Sequence, residues 1–81
     1  MTEMINNIGK RMVTKARLVN MVLGSWYEDK VGGNLRNNPY YSEFQGMCQL
    51  LKAMEMEYDI QYDNDTVHMT AIVIMGQTFE V

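Results

Sequence analysis

The sequence predicts an α+β fold, two helices followed by a three-stranded antiparallel β-meander (ααβββ). Three observations lead there. Residues 2 to about 27 place Ile5, Ile8, Met12, Ala16, Val19, Leu23 and Trp26 three or four positions apart, the spacing of one helix face. Residues 56–63 instead alternate Met56, Tyr58, Ile60 and Tyr62 with Glu57, Asp59, Gln61 and Asp63, the period-two pattern of a strand buried on one side. Turn residues then recur at Asn64-Asp65 and at Met75-Gly76-Gln77-Thr78, dividing the end of the chain into short strands. With 81 residues and a hydrophobic fraction of 47%, the chain is expected to be one domain, residues 1–81, with a single modest core.

The first helix is uneven along its length. From Leu18 onward it is apolar nearly all round, and this half is expected to anchor in the core. Its first half carries Asn6, Asn7, Gly9, Lys10 and Arg11, and is expected to extend beyond the body, fray or meet a partner. Lys15 projects into the apolar arc, either as a snorkelling stem at the interface edge or as a buried or partner-facing cation. Lys10, Arg11 and Arg17 make a basic strip on the other side.

Residues 28–38 form a polar loop in which Gly32-Gly33 ends any helix. The pair is followed by Asn34 and Arg36, groups that can hold an anion, but the strand, spacing and lysine of a phosphate-binding loop are missing. A second helix is expected to begin at Asn38-Pro39, with Ser42 to Gln45 as an alternative capping box. Phe44, Met47, Cys48, Leu51 and Met54 form its buried face, and Gly46 in its interior suggests a close helix crossing.

A two-residue turn at Asn64-Asp65 sets an expected register for the first hairpin. Tyr62 then faces Val67, Ile60 faces Met69, Tyr58 faces Ala71 and Met56 faces Val73. A type II′ turn with Gly76 in its first central position brings Phe79 opposite Ile74 and Val81 opposite Ile72. These four side chains, Ile72, Ile74, Phe79 and Val81, fall on the face opposite the tyrosine row. They form an apolar patch that the first helix, a second subunit or a ligand must cover.

Composition narrows the function classes. Net charge is −3, yet residues 1–36 carry six basic and three acidic side chains and residues 37–81 one basic and seven acidic, a split of +3 and −6. Such asymmetry marks two unlike faces or a basic helix lying against an acidic sheet. The one cysteine, Cys48, has no intramolecular disulfide partner, and no Cys/His constellation could hold zinc. The reading is a reducing, cytoplasmic setting with no membrane span and no cofactor. His68 is the lone histidine, expected beside Gln61 with Asp59 diagonal to it, and no hydroxyl or thiol is placed as its nucleophile. Asp63-Asn64-Asp65 begins like a calcium loop, but the required later glycine and glutamate are replaced by His68 and Ile74.

The expected function is a small non-enzymatic interaction or regulatory module, homo-oligomeric, that meets a protein partner through an acidic hairpin of Glu57, Asp59, Asp63 and Asp65 or through the Ile72, Ile74, Phe79 and Val81 patch. Its sharper form is an acidic inhibitor that occupies a basic, nucleic-acid-binding groove of the partner and competes with phosphates. The alternative is a small nucleic-acid-binding regulator that uses Lys10, Arg11, Lys15, Arg17 and Arg36.

Overall fold

The computed structural model describes residues 2–23, 38–63 and 68–81. Helix α1 (Thr2–Leu23) is followed by helix α2 (Tyr41–Ala53) and by strands β1 (Tyr58–Tyr62), β2 (Met69–Ile74) and β3 (Gln77–Glu80). The strands form one antiparallel sheet in the order β1-β2-β3, so the ααβββ arrangement expected from the sequence is the one observed. Both helices pack on a single face of that sheet, and Met12, Ala16 and Val19 of α1, Phe44 and Leu51 of α2, and Ile72 and Ile74 of β2 are sealed between them.

The register of the first hairpin differs from the expectation by three residues. Tyr58 faces Ile74, Asp59 faces Val73, Ile60 faces Ile72 and Gln61 faces Ala71, after which a bulge brings Tyr62 opposite Met69. An odd shift changes the faces that meet, so Tyr58 and Ile60 share a side with Ile72 and Ile74 rather than with Ala71 and Val73. The physical reason lies in β2. Its Met69-Thr70-Ala71-Ile72-Val73-Ile74 run is apolar on both sides and does not choose a face by itself, and the pairing that buries two isoleucines removes more apolar surface from water. The Asp63 amide donates to the His68 carbonyl at 2.9 Å, closing the hairpin outside the expected two-residue turn. Asn64 and Asp65 themselves lie outside the described residues.

The second hairpin turns one residue earlier than expected. Met75 and Gly76 occupy the two central positions with φ of 50° and 82°, both left-handed as a type I′ turn demands. Phe79 therefore faces Ile72 rather than Ile74, and Gln77 faces Ile74. The shift is even, so Ile72, Ile74 and Phe79 still share a face.

That face is covered by α1. Ile72 and Ile74 are fully buried, and the Phe79 ring lies against Gly9, where a Cβ would come within 2.5 Å of it. Gln77 also donates from its side-chain amide to the side-chain Oδ1 of Asn6. The first half of α1 thus lies on the sheet, which corrects the expectation that it extends or frays. Gly9 permits that approach, whereas Gly46, expected at a close crossing, has nothing within 4 Å of the position its Cβ would take.

Two asparagines fasten the other half of α1. The Asn20 side chain donates to the Met69 carbonyl and accepts from the Met69 amide, both at 2.8 Å, pairing with that backbone at the bulge as a strand would. Asn38 is buried, donates to the Val19 carbonyl at 3.1 Å, and accepts the Tyr40 amide on its Oδ1 at 3.0 Å. It ties the approach to α2 onto α1 instead of capping α2, which begins three residues later at Tyr41 without a side-chain cap. Met21, expected in the anchoring half, is 61% exposed.

At its other end α2 closes in a Schellman motif. The Glu55 amide donates to the Lys52 carbonyl and the Met56 amide to the Leu51 carbonyl, each at 3.0 Å. Glu55 stands in the left-handed position with φ of 57°, and Met56 and Leu51 are both buried, giving the apolar contact that accompanies such an ending. This reversal delivers the chain into β1.

Candidate functional site

One face of the sheet lies under the helices, and on the other Asp59, Gln61, Thr78 and Glu80 are exposed, with no described element covering them. The register places Asp59, Val73 and Thr78 in one row across this outer face and Gln61, Ala71 and Glu80 in the next. Glu57 stands just before β1, its carbonyl accepting the Met75 amide at 2.9 Å and its own amide donating to the Met75 sulfur at 3.3 Å. Glu57, Asp59 and Glu80 are all exposed, so carboxylates surround the Val73 side chain in the middle of the sheet.

A hollow of about 180 Å³ opens where this face meets the second turn, lined by Glu57, Tyr58, Asp59, Val73, Met75 and Gly76. Its walls combine two carboxylates with apolar surface from Val73 and the half-exposed Met75. Such a site suits the stem and head of a lysine or arginine, whose methylenes lie on apolar groups while the cation meets a carboxylate.

Of the four acidic residues expected on the hairpin, Glu57 and Asp59 line this hollow and Asp63 lies beyond the far end of β1. Asp65 lies outside the described residues. Glu80 was not among the expected site residues, because only the observed register shows that it shares the outer face. Its place opposite Ala71 follows from the type I′ turn, and the left-handed Met75 that makes that turn carries no sequence signal.

The second expected surface is not a surface. Ile72 and Ile74 are core residues beneath α1, and Phe79 is half-buried against it. Val81 is likewise half-buried. The uncovered face that suggested a homo-oligomer is filled by the chain's own first helix, because the observed register gathers the strong apolar residues of all three strands on one side.

The four described cations of the nucleic-acid alternative, Lys10, Arg11, Lys15 and Arg17, do not assemble into one strip. Lys10 and Arg17 border a hollow beside β3, whereas Arg11 borders a different one with Ile8, Met47 and Leu50. Lys15 is 30% exposed and forms a salt bridge with Glu43 of α2 at 2.5 Å. It is a link between the helices rather than a free cation. Arg36 lies outside the described residues.

Cys48 is buried, and burial pushes its thiol pKa up, with the Tyr58 hydroxyl and the Lys52 charge pulling it part of the way back. This is the opposite of what activates a thiol as a nucleophile. Tyr58 and Tyr62 are also raised, first by burial and then by neighbouring groups of negative or potential negative charge. His68 does not meet Asp59 as expected: Asp59 faces Val73, and His68 stands beyond the bulge with its carbonyl bonded to Asp63. Among the described residues no group of three or more His, Cys, Asp or Glu is placed to hold a metal ion, and no helix is long and apolar enough to cross a membrane.

Comparison with protein-family models, with curated proteins and with solved structures finds no match to this chain.

Proposed function

We propose that the protein is a non-enzymatic interaction module that receives a basic side chain of a partner protein on its outer sheet face. The observation that carries this reading is the hollow bounded by Glu57 and Asp59 over Val73 and Met75. It joins charge to apolar contact in one place, which a scattered acidic surface does not. Glu80 on the same face adds to a negative field that attracts a basic surface from a distance and raises its rate of encounter. In its sharper form the partner's basic side chains are ones that otherwise hold phosphates, and the protein inhibits by standing in their place.

The test uses immobilised wild type, Glu57→Lys/Asp59→Lys and Lys10→Glu/Arg17→Glu as parallel baits. All four positions are exposed, so the variants are expected to fold. A partner retained by the wild type and by the helix variant should be lost from the sheet variant, with affinity falling roughly tenfold or more per reversed charge. Binding should weaken as salt is raised. Equal retention by the sheet variant would overturn the reading. Loss from the helix variant alone would move the site to α1.

A further inference from the structure

A second hollow, of about 510 Å³, runs between α1 and the side of β3 with which no other described strand pairs. We propose that it is a docking groove in which an extended acidic segment of another protein adds to β3 as a fourth strand. The inference is independent of the basic-partner reading and concerns the opposite charge.

The backbone of β3 supplies the first half of the argument. The Val81 amide donates to the Thr70 carbonyl at 3.0 Å, and Phe79 and Gln77 face Ile72 and Ile74 in alternate positions of the same ladder. In an antiparallel ladder the residues between them, Thr78 and Glu80, turn their amides and carbonyls away from β2. Those groups lie along the open edge, two residues apart, in the spacing that an incoming strand matches. The edge has no proline or lysine to discourage pairing.

Helix α1 supplies the second half. Val13 and Phe79 form apolar walls of the groove, and Lys10 and Arg17 stand above them on the helix side. The Thr14 hydroxyl between them donates to the Lys10 carbonyl at 3.0 Å, so the helix offers the groove two cations and little other polar chemistry. Lys10 and Arg17 are seven residues apart, about 10 Å along a helix. An extended strand brings same-side residues about 7 or 14 Å apart, so carboxylates two or four positions apart on the helix-facing side reach both cations through their flexible stems. Glu80 faces the other side of the sheet, where a polar or basic residue of the added strand fits.

Charge opposes one competitor, the β3 of a second copy, because that pairing sets basic rim beside basic rim. A nucleic-acid strand gains from Lys10 and Arg17 but has no regular backbone pattern for the amides and carbonyls of Thr78 and Glu80.

The test is an amide NMR titration of labelled protein with an end-blocked nine-residue peptide alternating glutamate and threonine. A lysine-threonine peptide and a nine-nucleotide oligothymidylate serve as competing probes. The expected result is saturable shifts at Thr78, Phe79, Glu80 and residues 10–17 with the acidic peptide. Lys10→Glu/Arg17→Glu should weaken that binding about tenfold or more. Thr78→Pro, which removes an outward amide without touching the β2 ladder, should weaken it comparably. The proposal is overturned by no saturable shift at millimolar peptide, by shifts elsewhere, or by peptide binding that Thr78→Pro leaves unchanged. Tighter binding of the oligothymidylate at the same residues would overturn it in favour of a nucleic-acid site.

Discussion

Glu55 and Met75 both hold left-handed backbone, with φ of 57° and 50°, a conformation that costs an ordinary residue roughly 1 kcal/mol or more. Each ends an element that the fold needs to end there. Glu55→Gly should therefore stabilise the protein by about 1 kcal/mol, and Met75→Asn, which creates the Asn-Gly pair that type I′ turns favour, by a similar or smaller amount. Urea midpoints at unchanged slope measure both. The two helix glycines should respond with opposite signs. Gly46→Ala meets open space and gains about 1 kcal/mol of helix propensity, whereas Gly9→Ala drives a methyl into the Phe79 ring and should cost about 1–3 kcal/mol. If the ring is the obstacle, Phe79→Leu should relieve part of the Gly9→Ala loss in the double variant. Propensity alone makes the two glycines equivalent, and for that reason their different surroundings were not legible in the sequence.

At the scale of elements, existence was legible and register was not. The alternation of Tyr58 and Ile60 with Asp59 and Gln61 identifies the inward side of β1, and the structure half-buries Tyr58 and Ile60 against the core while leaving Tyr62 at the strand's end exposed. The continuous apolar run of β2 carries no equivalent choice, so its pairing waits on tertiary packing against α1. The site inherits this limit: Glu57 and Asp59 were visible as acidic strand residues, but their meeting with Val73 and Met75 depends on the register. The bulge at Tyr62 and Met69 depends in turn on Asn20, whose amide satisfies both the donor and the acceptor of Met69. Asn20→Ala should cost about 2 kcal/mol by stranding these groups, and amide exchange at Met69 should accelerate more than at Ile72. Nothing in the local sequence distinguishes Asn20 from an exposed helix residue, because its partner is far along the chain.

Across the whole molecule, charge separation along the sequence becomes charge separation in space. Among the described residues the helices carry the cations and cover one face of the sheet, and the Asp59 and Glu80 carboxylates of β1 and β3 occupy the other. Alkaline pH should titrate the buried Cys48, the half-buried Tyr58 and the more exposed Tyr62. Burial holds the Cys48 thiol above its ordinary 9.0 and the Tyr58 and Tyr62 hydroxyls above 10.0. In each case the folded chain keeps a proton that the unfolded chain gives up. The stabilisation is complete below the unfolded pKa and is lost as pH rises through the folded one. Denaturant stability should thus decline from about pH 9 upward, and Cys48→Ala should flatten the first part of that decline. The proposed docking of a basic side chain rests on the outer face instead, and its sharpest test is a titration of labelled protein with an end-blocked arginine-rich peptide, followed by amide NMR. Saturable shifts are expected at Glu57, Asp59, Val73, Met75 and Gly76 and should disappear in Glu57→Gln/Asp59→Asn. Shifts confined to other residues, or unchanged in that variant, would contradict the proposed docking.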